Sequence, residues 1–261
     1  MTRVGVFGAA GRMGRTVCEA VAADPALELV AAVDPLHAGI DLRRVAEVDT
    51  DLQVASSSEA LMDAGVEVVV DFTVVEAART NLAFAAEHGL HAVVGTTGFT
   101  DADLVQIEAD FWRSSCLIAP NFAIGAVLMM RFAELAAPWF ETAEIIELHH
   151  DAKVDAPSGT ALRTAERMAA ASNDWAPDPT TNRVLDGTRG GEGPGGIPIH
   201  SVRLCGLFAH QEVLLGTAGQ SLTIRHDTYD RTCYMPGVLL AIKHVHEHPG
   251  LTTGLEPLLD L

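Results

Sequence analysis

Basic residues are scarce in this 261-residue chain: 17 Lys and Arg stand against 35 Asp and Glu, a net charge of -18. General nucleic-acid binding, which needs clustered Lys and Arg, is excluded as an expectation. Cysteine is scarce as well. Cys18, Cys116, Cys205 and Cys233 lie far apart with no CxxC pair, which fits a reducing compartment and leaves neither a disulfide framework nor a zinc cluster. No apolar run approaches the roughly 18 residues that span a bilayer. No signal peptide precedes the strand-like run that follows Met1-Thr2-Arg3, so the expected location is the cytoplasm, without a membrane partner. What remains is an ordinary globular composition, 48% hydrophobic and 20% charged, long enough for one large domain or two modest ones. The acidic balance sets a condition. An anionic substrate requires the few cations to be concentrated at its site.

The first half alternates strand and helix patterns. Val4 to Phe7 is an apolar run, after which Met13, Val17, Ala20 and Val21 recur at helical spacing,. Strands are predicted at Leu27 to Val33, Val66 to Asp71, His91 to Val94 and Cys116 to Ala119; helices at Glu76 to His88, stopped by Gly89, and at Ala102 to Trp112,. Such alternation implies an α/β domain with a parallel sheet covered on both faces. The second half differs. A helix from Ile124 to about Ala137 stops at Pro138, a strand follows from Ala143 to Leu148, and another helix opens near Ser158,. A glycine-rich loop at 187–196 precedes strands at Ile197 to Leu204, Gln211 to Leu215 and Ser221 to Arg225. A last helix, Val238 to His248, begins after Pro236-Gly237,. Two domains are expected, with a boundary near Asn121 to Gly125.

Between the first strand and helix, Gly8-Ala9-Ala10-Gly11-Arg12-Met13-Gly14 fits GxxGxxG, a variant of the dinucleotide fingerprint. Its glycines let backbone N–H groups approach a pyrophosphate at a helix N-terminus. Alone the motif is equally a tight turn. Asp34, at the end of the second strand, adds a carboxylate able to accept from ribose hydroxyls. Arg12 lies against a phosphate or stays solvated; spacing does not decide. Gly95-Thr96-Thr97-Gly98 and Ala119-Pro120-Asn121-Phe122 follow later strands, where open α/β sheets bind ligands. On spacing alone each reads first as a plain turn.

The segment Glu147-Leu148-His149-His150-Asp151-Ala152-Lys153-Val154-Asp155-Ala156-Pro157-Ser158-Gly159-Thr160-Ala161 concentrates chemistry. Histidine moves protons near neutral pH and lysine supplies a point positive charge. Ser158, Gly159 and Thr160 open a helix whose first N–H groups lack intrahelical acceptors, a ready carboxylate site. His149 and Lys153, four apart, face the same way if the segment is extended. Each group alone has a plainer explanation: Ser158 an N-cap, Lys153 a solvated side chain. Adjacent His149 and His150 in extended chain point to opposite faces, so no metal is expected there.

This segment resembles the signature of the dihydrodipicolinate (4-hydroxy-tetrahydrodipicolinate) reductase family. So do VGVFGAAGRMGR, HAVVGTTGF, LIAPNFAIGA, GIPIHSVRL, GLFAHQEVLLG and LTIRHDTYDR, in order along nearly the whole chain. The ending GLEPLLDL is similar to actinobacterial members. The resemblance implies a Rossmann-like dinucleotide-binding domain over 1–123, completed by about 232–261, and a smaller α+β domain with a mixed sheet over 124–231. It implies hydride transfer from NADH and/or NADPH to a dicarboxylate, with loss of water, in diaminopimelate and lysine biosynthesis, by a homotetramer. Matched residue by residue, His149 is the proton donor or acceptor and Lys153 a proton donor or charge stabiliser. His150, Ser158, Gly159 and Thr160 bind substrate. Gly8, Ala9, Ala10, Gly11, Arg12, Met13, Asp34, Gly95, Thr96, Thr97, Ala119, Pro120, Asn121 and Phe122 bind the cofactor. The chain departs from the family at Asp34-Pro35, with no adjoining Arg to grip a 2′-phosphate, and at Val74-Val75, where members often carry His-Pro. Cys205 and Cys233 are also unusual. Two rivals stay open: an aspartate-semialdehyde type dehydrogenase, which needs a nucleophilic cysteine such as Cys116, and a nucleotide-sensing binding module.

Overall fold

A computed structural model describes residues 1–261. The first segment builds β1 (Thr2–Phe7), α1 (Arg12–Ala23), β2 (Leu27–Val33), α2 (Glu59–Asp63), β3 (Val68–Asp71), α3 (Val75–Glu87), β4 (His91–Val94), α4 (Asp101–Asp110) and β5 (Ser115–Ile118). β3, Val-Val-Val-Asp, is buried throughout, as a strand covered on both faces must be. Along α1 the buried positions are Gly14, Val17, Cys18 and Val21, an i, i+3, i+4, i+7 stripe. Met13 and Ala20, expected on that face from their spacing, are not part of it; Gly14 and Cys18 take their place, and glycine at 14 permits close approach to the turn below. α4 starts on a capping box, with Thr100 and Asp103 bonding each other's backbone N–H groups,. α2 was not anticipated, being only five residues long.

The second segment begins with α5 (Ile124–Ala136), followed by a 3-10 turn over Ala137–Trp139. Pro138 thus ends the α-helix as expected, one residue earlier. β6 (Thr142–His149), α6 (Gly159–Ala171), β7 (Gly191–Glu192), β8 (Pro198–Arg203), β9 (Ala209–Thr217) and β10 (Gln220–Thr228) complete it. The sheet order is β10-β9-β6-β8-β7. β6 runs parallel to β8 and antiparallel to β9, so the sheet is mixed. Ala143, Ile145 and Glu147 of β6 point inward, and Met129, Ile145, Met168, Ile197, Val213 and Leu215 form the core. β7 lies within the glycine-rich stretch expected to be loop only.

The chain then adds α7 (Met235–His244) and β11 (Gly250–Thr253). Pro236 and Gly237 were expected to precede the last helix; they lie in its first turn, where proline's missing N–H costs nothing,. The helix gives way to a 3-10 turn at Val245–Glu247, short of the expected His248. β11 pairs in parallel with β5. The six-stranded sheet therefore reads β11-β5-β4-β3-β1-β2, all parallel, a doubly wound order with its switch between β1 and β3. Two compact units result: residues 1–124 with 231–261, and residues 125–230.

Candidate active site

In the first unit, five loops leave the carboxyl ends of neighbouring parallel strands, where such sheets bind ligands. After β1, Gly8 adopts φ 63°, the left-handed region that glycine enters without strain. The turn closes through Gly11 N–H to Gly8 O at 2.8 Å. A Cβ on Gly14 would lie 2.0 Å from Gly8 O, so only glycine lets α1 sit this close. No side chain caps α1 and no acid occupies its first turn, which leaves its N-terminal field available to an anion. These features fit a pyrophosphate. Arg12 is exposed.

Asp34 is nearly buried at the end of β2. Its Oδ2 accepts from Ala10 N–H of the turn at 3.2 Å, its Oδ1 accepts from Leu36 N–H at 3.1 Å, and His37 Nδ1 lies 3.0 Å from Oδ1. The carboxylate thus braces the turn after β1 from the end of β2.

Sequence reasoning missed Asp71 and Phe72. Asp71 is fully buried and accepts from Thr73 N–H (2.8 Å), Thr73 Oγ1 (2.7 Å), Thr96 Oγ1 (3.0 Å) and Asn81 Nδ2 (2.7 Å). It ties the loop after β3 to Thr96 in the loop after β4. Phe72 lies across Gly95, where a Cβ would come 1.9 Å from its ring. It also packs against Phe122, with ring centroids 5.6 Å apart. The available signal was an acid closing an otherwise apolar strand. Thr97 and Pro120 are exposed and Ala119 is buried. Asn121 Oδ1 accepts from Ala123 N–H at 2.9 Å, and the Phe122 ring belongs to the interior.

In the second unit, β6 delivers His149 at its end and β8 brings Arg203 opposite it. The segment beyond is not extended. It turns at once, with Lys153 N–H donating to His150 O at 3.2 Å. This corrects the premise on which His149 and Lys153 were expected to align. The turn still brings their charges within range of each other: Lys153 is one of the cations that disfavour a proton on His149. Lys153 Nζ donates to both oxygens of Asp155, each at 2.8 Å. His150 is half-buried, its N–H donating to Phe208 O at 3.3 Å.

Ser158 is the N-cap of α6, its Oγ accepting from Ala161 N–H at 3.2 Å. The plainer explanation weighed for it is therefore what the structure displays. Gly159 is exposed and faces open space. Thr160 follows in the first turn, its carbonyl accepting from Thr164 Oγ1 at 2.7 Å.

Beneath the segment lies Glu147, fully buried. Oε2 accepts from His149 Nδ1 at 2.6 Å and Arg203 Nη1 at 2.8 Å; Oε1 accepts from Arg203 Nη2 at 2.8 Å and Ser158 N–H at 3.1 Å. Burial pushes the Glu147 carboxyl up, but hydrogen bonds from Arg203, Ser201 and His149 outweigh it and hold the group below the usual carboxylate range,. Burial holds His149 below the ordinary imidazole range; Glu147 pulls upward, and Lys153 and Arg203 push down again. Neither Glu147 nor Arg203 was singled out from sequence. Glu147 was visible as an acid at an inward position of an alternating strand. Cys116 is fully buried and its thiol is pushed far up by desolvation, and burial pushes Cys18 up to about 12. Neither is a nucleophile, which removes the chemistry that a semialdehyde dehydrogenase needs from these two positions.

Residues 2–122 match the family profile "Dihydrodipicolinate reductase, N-terminus" and residues 125–259 match "Dihydrodipicolinate reductase, C-terminus". The chain is 52% identical over 263 residues to the 4-hydroxy-tetrahydrodipicolinate reductase of Mycobacterium sp. (strain KMS), covering 99% of each. It is 51% identical over 266 residues to the protein of the same name from Nocardia farcinica (strain IFM 10152), again covering 99% of each. Among solved structures it is similar to the dipicolinate-bound dihydrodipicolinate reductase from Paenisporosarcina sp. TG-14. The TM-score is 0.86 and the identity 41%, over 98% of this chain and 99% of that one.

Proposed function

Because this chain belongs to the dihydrodipicolinate reductase family, we propose that it reduces 4-hydroxy-tetrahydrodipicolinate to tetrahydrodipicolinate, with loss of water, in diaminopimelate and lysine biosynthesis. Bound NADH or NADPH supplies the hydride. The chain's own residues do the rest. The turn from Gly8 to Gly11 and the N–H groups of Arg12 and Met13 hold the pyrophosphate. Asp34 accepts from the ribose. Gly95, Thr96, Thr97 and the backbone of 119–122 hold the nicotinamide end, with Asp71 fixing Thr96.

Hydride arrival leaves the substrate electron-rich, and His149 hands over a proton from Nε2. Lys153 exchanges the Asp155 carboxylate for one carboxylate of the substrate. Gly159 and Thr160 take the other at the start of α6, while Ser158 keeps that start in shape and His150 lies alongside. This local cation and helix start meet the condition that an acidic chain imposes on an anionic substrate. The reading extends to use of both cofactors, with NADH equal or preferred, and to a cytoplasmic homotetramer.

The observation that carries the reading is the grouping of His149, Lys153 and the α6 start within one hydrogen-bonded segment of a chain that matches the family end to end. The test follows nicotinamide absorbance with the purified full chain and the aldolase product made in situ. Turnover with both cofactors is expected. No turnover with either, alongside intact cofactor binding, would leave the nucleotide sensor standing.

A further inference from the structure

Glu147 is a fully buried charge whose partners the fold must supply,. A carboxylate offers about four lone-pair sites. Here His149 Nδ1, Arg203 Nη1, Arg203 Nη2 and the Ser158 backbone N–H donate at 2.6, 2.8, 2.8 and 3.1 Å, and the Ser201 side chain donates as well, so no lone pair is left unmet. A bidentate guanidinium offsets most of the desolvation of the charge. Arg203 is itself anchored by donating to Val202 O (2.8 Å) and Asp155 O (2.7 Å). The partners come from three places: the end of β6, the end of β8, and the N-cap of α6. Glu147 is two residues before His149, so both project from the same face of β6.

Two consequences follow. An ionised carboxylate can only accept, so His149 Nδ1 must carry a proton. Nε2, which makes no hydrogen bond with the protein, is then the nitrogen that exchanges a proton. A second oxygen of the same carboxylate holds the N-cap that begins α6, 3.1 Å away. The proton donor and the helix start are therefore referenced to a single immobile group. We propose that Glu147 is a positioning residue for the reduction, fixing the Nδ1–H form of His149 and the placement of the α6 start relative to it. The inference rests on His149 being the proton donor.

Other groups facing His149 set the sign of the pH effect. Arg203 acts on it from β8 and Lys153 from the turn, where Asp155 holds Lys153; neutral Ser201 on β8 and Gln211 on β9 stand opposite Glu147. Glu147 supplies the closest negative charge in this set. In Glu147→Gln the imidazolium loses that partner while Arg203 and Lys153 remain. The alkaline limb of the kcat profile, where the acid form of His149 disappears, moves to lower pH by about one unit or more.

The experiment combines kinetics with nitrogen NMR on [15N]histidine-labelled full chain, the His149 signal being identified by its loss in His149→Gln. In the wild type the expected spectrum is the Nδ1–H form. In Glu147→Gln, kcat falls about 100-fold, its alkaline limb moves down, and the NADH dissociation constant is unchanged. Glu147→Asp keeps the charge but shortens its reach, and is expected to lose kcat while keeping the cofactor site. A wild-type Nε2–H form overturns the proposal even if neither variant folds. So do unchanged kcat and pH limb in a folded Glu147→Gln. If His149→Gln itself turns over normally, it is the proton-donor reading that fails.

Discussion

Asp34→Ala separates what one carboxylate does for the two cofactors. If the side chain accepts from ribose hydroxyls, each hydrogen bond to the charged group is worth about 1.5–3 kcal/mol, or about 10- to 150-fold in NADH affinity. The structure adds a second effect that the sequence did not show. Asp34 Oδ2 accepts from Ala10 N–H at 3.2 Å, so its loss also loosens the turn after β1, which on the proposed reading both cofactors use. NADPH gains from removal of a charge that repels its 2′-phosphate and loses from the slackened turn. Read from sequence alone, Asp34→Ala leaves NADPH unchanged or improved; with the brace to Ala10 included, NADPH falls modestly and NADH falls about 10-fold or more further. The assay is kcat/KM for both cofactors in wild type and variant. A strong wild-type preference for NADPH, or equal losses in the variant, would show that Asp34 does not read the ribose.

Thr160→Val keeps shape but deletes a hydroxyl at the α6 start; KM is expected to rise by about 10-fold or more, together with the inhibition constant of pyridine-2,6-dicarboxylate. Unchanged inhibition in both Thr160→Val and Lys153→Ala would misplace the anion site. Gly14→Ala forces a Cβ to 2.0 Å from the Gly8 carbonyl oxygen, a backbone clash costing about 1–3 kcal/mol; weakened binding of both cofactors is expected, and normal binding would refute the close-approach argument. Stability should fall on acidification in two stages. Burial holds His91, His149 and His226 below the ordinary imidazole range, so the unfolded chain takes up protons first, and stability declines as pH drops through about 6.5. Glu144 and Glu147 are held low because hydrogen bonds from arginine and histidine outweigh burial, and Asp103 by its hydrogen bonds to Arg79 and Thr100. Their contribution is complete above the ordinary carboxylate range of about 4 to 4.5 and is lost progressively as pH falls below it,. Urea midpoints that stay flat from neutral pH to about 3 would contradict this.

The strands of the first unit were legible because parallel strands in a covered sheet are continuous apolar runs, and each ended within a residue or two of where the pattern placed it. The glycine turn, Asp34 and the Ser158 cap were legible because their chemistry is local. β11 was not, since Gly-Leu-Thr-Thr has no apolar pattern and becomes a strand only by pairing with β5. Asp71, Glu147 and Arg203 were hidden for a related reason. Each is a charged side chain within two residues of a strand end, and the partners that explain it come in part from distant segments: Thr96 for Asp71, and Ser158 and Arg203 for Glu147. The bend at His150–Lys153 was missed because its one turn-favouring residue, Asp151, has no Gly or Pro beside it to strengthen the signal,.

The central claim is that His149 supplies the proton that accompanies reduction. Its most direct test is kcat for His149→Ala measured beside the NADH dissociation constant of the same preparation. A kcat lowered by about 100-fold or more with cofactor binding barely changed is expected, because His149 is not among the residues proposed to hold the cofactor. A kcat near that of the wild type would contradict it.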